Sequence, residues 1–116
     1  MSGPENDSRI DYVEMKVKDI PAAKSFYEEA FGWKFNDYGP DYSSFEDGRL
    51  AGGLEQGTPK AGTTLVIVFA VDLEKALARV EAAGGKIARP IFTFPGGRRF
   101  HFTDPSGNEL AVWSDC

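Results

Sequence analysis

Apolar and polar residues alternate along Ile10–Val17, with Val13, Met15 and Val17 on one side and Tyr12, Glu14 and Lys16 on the other. A period of two predicts a half-buried strand. The period then lengthens. Ala23, Phe26, Tyr27 and Ala30 recur at helical spacing, which predicts an amphipathic helix with Phe26 and Tyr27 in the core. Asp19 ahead of this stripe suits an N-cap, Pro21 an early helical position and Gly32 a helix stop. Trp33–Tyr38, Tyr42–Glu46 and Arg49–Leu54 follow as strands. Asp47–Gly48 between the last two accommodates the positive dihedrals of a tight hairpin.

The same order then returns, displaced by roughly fifty residues, which marks an internal repeat. Asp19 falls on Asp72, Ile20 on Leu73, Ala23 on Ala76, Glu28 on Glu81 and Gly32 on Gly85. Leu65–Val71 is apolar on both faces and predicts a strand buried on both sides. Leu73, Ala76, Leu77 and Val80 form the second helical stripe, which Gly84–Gly85 end. Ile87–Phe94, Arg98–Thr103 and Glu109–Ser114 read as strands, the last two joined by the turn sequence Asp104–Asn108. The expected fold is α+β, two βαβββ modules whose curved mixed sheets surround a cleft. Module one is 10–56, the linker 57–62 and module two 63–116, in a single domain after a loose tail at 1–9.

If the Asp104–Asn108 turn closes a simple hairpin, Phe102 lies opposite Leu110, His101 opposite Ala111 and Arg99 opposite Trp113. Phe100, Phe102, Leu110 and Val112 then face the helix, and Arg99, His101, Ala111 and Trp113 face the cleft. Glu109 is expected on the opposite face from Ala111.

Composition narrows the function classes. A net charge of −5 over 116 residues, with Arg98–Arg99 the only basic pair, argues against nucleic acid, which requires a concentrated basic surface. An acidic chain could instead draw a cationic ligand. No apolar run approaches the ~20 residues of a membrane span. Polar Met1–Arg9 lacks the apolar segment of a signal peptide, so a cytoplasmic protein is expected. The single cysteine, Cys116, leaves no internal disulfide and no cysteine-cluster metal site.

The repeated module, the string from Val17 and Asp19 through Phe26, Tyr27 and Gly32, and the late Asp104–Asn108 turn together resemble the vicinal oxygen chelate superfamily. That superfamily includes glyoxalase I, extradiol dioxygenases and bleomycin resistance proteins, and the stretch FYEEAFGWKF is similar to small bacterial glyoxalase-like members. The resemblance implies a ligand cleft, a homodimer and, in many members, a divalent ion held by side chains from four strands. Carried onto this chain, the four ligand positions fall on Tyr12, the Gly52–Gly53 region, Val66 and Ala111. Only Tyr12 carries an oxygen donor, so no metal and no other cofactor is expected. A rebuilt site would have to draw on Glu14, Glu55 and His101.

The chemistry left to such a cleft is acid–base or binding. His101 is the sole histidine and titrates near neutrality, so it is the candidate acid/base, with Glu14 and Tyr12 orienting it or a substrate. The candidate ligand-binding set is Tyr12, Glu14, Val66, Val68, Phe92, Phe94, Arg99, His101, Ala111 and Trp113, a mixture of flat apolar surface and a few polar anchors. The expected partner is a small organic molecule, aromatic or cationic, bound without metal. The alternative is a lyase or isomerase acting on a small carbonyl compound.

Overall fold

The computed structural model describes residues 3–59, 64–105 and 107–116. Its regular elements are β1 (Ile10–Val17), α1 (Ile20–Phe31), β2 (Lys34–Asp37), β3 (Tyr42–Glu46), β4 (Ala51–Gln56), β5 (Leu65–Phe69), α2 (Leu73–Ala82), β6 (Lys86–Phe94), β7 (Gly97–Thr103) and β8 (Glu109–Ser114). The order is that of two βαβββ modules with parallel and antiparallel pairings, as the repeat predicts. Residues group into two compact units, Tyr12–Leu65 and Val66–Cys116, the second also taking the residues up to Asp11. The expected linker at 57–62 lies in part outside the described residues.

In the first unit the strand order is β2-β3-β4-β1. β1 runs parallel to β4, which is antiparallel to β3. Asp19 caps α1 by accepting from Ala22 N at 3.1 Å, and Gly32 ends it in the left-handed region at φ 75°. The predicted core stripe of α1 is only partly realised, since Ile20 is its one buried residue and Phe26 is 60% exposed. Trp33 accounts for part of this difference. Its indole is stacked between Tyr27 and Phe45, with ring centroids 4.6 and 4.5 Å away, so the flat rings close the gap beside the helix and leave Phe26 outside.

The second unit has strand order β5-β8-β7-β6. Asp72 caps α2 through Lys75 N at 3.0 Å. Leu73 and Ala76 of this helix pack over Phe100 and Val112, with Val68, Leu77, Val80 and Phe102 around them. The segment expected as a loose tail is tied to this unit. Residues Pro4–Asn6 form a 3-10 turn, Ser8 N donates to Phe69 O at 2.8 Å, and Phe69 N donates to Arg9 O at 3.0 Å. Asp7 Oδ1 accepts from Val71 N at 2.8 Å. Polar composition hides this, because backbone groups make most of the bonds.

Candidate functional site

The face of the second unit away from α2 is built by alternation along β7 and β8. Phe100 and Phe102 go to the helix, so Arg99 and His101 take the other side. The expected pairs His101 with Ala111, Arg99 with Trp113 and Phe102 with Leu110 are all present. His101 is only 6% exposed. Its Nδ1 lies 2.9 Å from Glu109 Oε2. An ionised carboxylate only accepts, so Nδ1 carries the proton and Nε2 of the neutral ring presents its lone pair. Nε2 is buried and has no hydrogen-bond partner.

Glu109 was expected on the opposite face from Ala111, and this is corrected by the structure. The two residues are separated by one position and so share a face, which is what brings Glu109 to His101. The two-residue period already contained that signal.

Aromatic and cationic groups surround the imidazole. The Phe92 ring centroid lies 5.8 Å from that of His101. Arg89 stands over Phe92 at 4.0 Å, and Arg99 lies 5.4 Å from Phe92 and 5.6 Å from Phe94. Trp113 touches Phe69 and Phe94, with centroids 5.2 and 6.3 Å away, and its Nε1 donates to Asp11 Oδ2 at 3.0 Å. Ala111 is buried opposite His101. Val68, predicted as a ligand contact, instead packs in the core beneath α2, and Val66 shares its strand face; the positions of the other parity are Ile67 and Phe69. An apolar strand on both faces offers no polarity difference from which to assign them.

Burial holds the His101 pKa below the ordinary histidine value, and the Arg99 and Arg89 charges lower it further, against the raising influence of Glu109. The folded state therefore binds its proton less readily than the unfolded chain. Stability from this group is fully present above the unfolded value of ~6.5 and falls as pH drops from there through the folded pKa. Urea titrations across this range should show that loss in the native chain, and a His101→Phe variant should lack it.

The first unit carries a second polar group on β1, β3 and β4. Tyr42 Oη donates to Glu14 Oε2 at 3.0 Å and lies 2.6 Å from Tyr12 Oη. With Tyr42's one proton committed to Glu14, Tyr12 donates to Tyr42, giving a relay from Tyr12 through Tyr42 to Glu14. Burial, the Tyr12 contact and the Glu14 charge all push the Tyr42 pKa upward, so its hydroxyl stays protonated. Lys16 and Glu55 form an ion pair. Tyr12 and Glu14 were candidates from sequence. Tyr42 was missed, because only the strand order places it beside them.

Residues 9–112 match the Glyoxalase/Bleomycin resistance protein/Dioxygenase superfamily. The chain belongs to that family. It is 28% identical to CFP32 of Mycobacterium tuberculosis, which carries a provisional glyoxylase name, over 88% of this chain and 44% of that protein. It thus spans less than half the length of this curated relative. Among solved structures, a Mn(II)-bound glyoxalase from Novosphingobium aromaticivorans aligns with TM-score 0.70 and 27% identity, covering 95% of this chain and 40% of the other. A superfamily member from Vibrio splendidus aligns with TM-score 0.70 and 19% identity over 92% and 98%.

Metal-dependent members of the Glyoxalase/Bleomycin resistance protein/Dioxygenase superfamily need converging donors, and this chain's residues do not fit that requirement. Val66, Ala111, Gly52 and Gly53 provide none. A Cβ built on Gly53 would lie 1.8 Å from Tyr42 Oη and 2.8 Å from Tyr12 Oη, so the tyrosine relay already fills that space. The substitutes are engaged elsewhere: Glu55 with Lys16, Glu14 with Tyr42, and His101 Nδ1 with Glu109. Among the described residues no group of three His, Cys, Asp or Glu side chains is close enough to hold an ion. Also among them, no helix is long and apolar enough to cross a membrane.

Proposed function

We propose that this family member binds a small organic molecule on the His101 face of module two, through hydrogen bonding and ring contact rather than through a chelated ion. The carrying observation is the buried, unpartnered Nε2 of His101. Leaving such an atom without a bond costs about 1–3 kcal/mol. A ligand hydroxyl or N–H directed at it would recover that cost on binding. Phe92 and Phe94 add flat apolar surface beside it, the usual companion of a few convergent polar groups in a ligand site. The ion named for the Novosphingobium relative is not carried over, since the donors present here do not suit it.

The test is binding of hydroxylated aromatic compounds, followed through the imidazole signals of the chain's single histidine. Binding should persist in a chelator and weaken at least ~10-fold in His101→Phe. Equal affinity in that variant would overturn the assignment.

A second reading is favoured by the His101–Glu109 pair. A neutral imidazole anchored through Nδ1 can take a proton at Nε2 while the carboxylate stabilises the imidazolium, the arrangement of a general base. This would serve a lyase or isomerase removing a proton next to a carbonyl. Deuterium entry at that carbon of added aldehydes and 2-oxo acids, lost in His101→Phe, would place turnover above binding alone.

A further inference from the structure

His101 and Glu109 meet because of the turn between their strands. Asp104 and Asn108 close it with three bonds of 2.9 Å: Asp104 N donates to Asn108 O, Asn108 N to Asp104 Oδ1 and Asn108 Nδ2 to Asp104 Oδ2. β8 therefore starts in fixed register against β7, with Glu109 opposite Thr103 and Ala111 opposite His101. A residue two places from the direct partner is the diagonal neighbour on the same face, within reach of a long side chain. Glu109 uses that reach. Its carboxylate ends 2.9 Å from Nδ1, with the glutamate side chain 52% exposed and the imidazole 7%. A half-exposed carboxylate thus decides where a buried ring carries its single proton.

We infer that Glu109 is the positioning residue that sets the hydrogen-bond polarity of this site, so that the bound molecule must turn a donor, and not an acceptor, toward His101 Nε2. This rests on the reading of the His101 face as a ligand site and adds to it the residue that selects the ligand. A neutral imidazole has one N–H and one bare nitrogen. With the proton held at Nδ1 by the carboxylate, Nε2 can only accept, and it has no protein partner among the described residues. An ether or carbonyl oxygen placed there would set lone pair against lone pair and leave both atoms desolvated without a bond. The selection is chemical rather than steric, so two molecules of one outline should be told apart. A proton and a ligand donor also compete for the same lone pair. Acidification should therefore weaken binding, with Glu109 favouring the imidazolium and Arg99 and Arg89 opposing it.

Three flat bicyclic probes of one outline test this: indole, whose ring N–H donates; benzofuran, whose ring oxygen only accepts; and indene, which does neither. Each is titrated into the full chain at neutral pH and followed through the imidazole signals. Indole should bind at least ~10-fold more tightly than indene, with benzofuran no better than indene. In Glu109→Lys, a replacement at an exposed position, the ammonium can only donate, so Nδ1 must accept and the proton moves to Nε2. The imidazole nitrogen shifts should record that move before any ligand is added, and benzofuran should then overtake indole. An indole advantage unchanged in the lysine variant, as a merely structural role predicts, or Nε2 already protonated in the native chain, would overturn the role of Glu109. Equal binding of the three by the native chain, with His101 signals moving, would overturn the donor selection while leaving the site intact. No binding by any of them, with His101 signals unmoved, would overturn the site and the selection together.

Discussion

Alanine at Gly52 is expected to lower the free energy of unfolding by more than about 3 kcal/mol, which is at the upper end for adding one methyl group. The reason is a backbone oxygen and a buried ring, neither of which can give way. Gly52 pairs with Val13 in the parallel β1–β4 ladder. A Cβ there would lie 2.3 Å from the Val13 carbonyl oxygen and 2.2 Å from Phe45 Cζ, well inside an ordinary contact of ~3.5–4.0 Å. The carbonyl cannot retreat without disturbing its ladder, and Phe45 is buried with its ring stacked on Trp33. Urea denaturation of the purified variant would read the loss as a lower midpoint. An unchanged midpoint would mean that β4 and β1 have room the structure does not show. Gly48 makes a useful contrast: its φ of 102° strains any side chain, but nothing lies within 4 Å, so alanine there should cost less. The comparison bears on function, because Gly52 and Gly53 lie where the superfamily resemblance places a metal ligand. In this chain close packing of β1, β3 and β4 occupies that place.

What could be read from the sequence was what local chemistry decides. Asp19 and Asp72 cap their helices because each carboxylate reaches a free N–H three residues on. The β7–β8 register followed from the Asp104–Asn108 turn and the alternation on either side of it. His101 could therefore be placed on its face in advance. Contacts between distant segments were much less accessible. Tyr42 meets Glu14 across 28 positions, and only because Gly53 lies between their strands without a side chain. The exposure of Phe26 depends on Trp33 filling space beside α1, which the helical stripe cannot report. Val66 and Val68 were misjudged because β5 is apolar on both faces. Glu109 is different, since its two-residue spacing from Ala111 already placed both on one face.

Phe100→Ala is expected to be the most damaging truncation in the second unit, at about 3–5 kcal/mol. Phe100 is fully buried beneath Leu73 and Ala76 of α2, beside Phe102 at 6.3 Å. Removing its ring forfeits the apolar burial and leaves a cavity that rigid neighbours close only in part. Natural domains hold only ~5–15 kcal/mol in total, so the variant should remain folded only marginally, with a clearly lower urea midpoint. The effect should extend to the candidate site. His101 is the next residue on β7, so the burial that lowers its pKa depends on this strand being held against the helix from the other side. In Phe100→Ala the imidazole should gain water and its pKa should rise toward ~6.5, the ordinary value. Phe100→Leu, which keeps most of the apolar contact, should cost less and leave the titration nearly unchanged. Both quantities come from one sample series, denaturation for stability and the imidazole signals for the pKa. A large loss of stability with a pKa still depressed would show that Phe92 and Ala111, on His101's own side, suffice to keep it dry. A loss of stability together with a rise in pKa would show that the helix-facing core of module two is what keeps the imidazole neutral and available to a ligand.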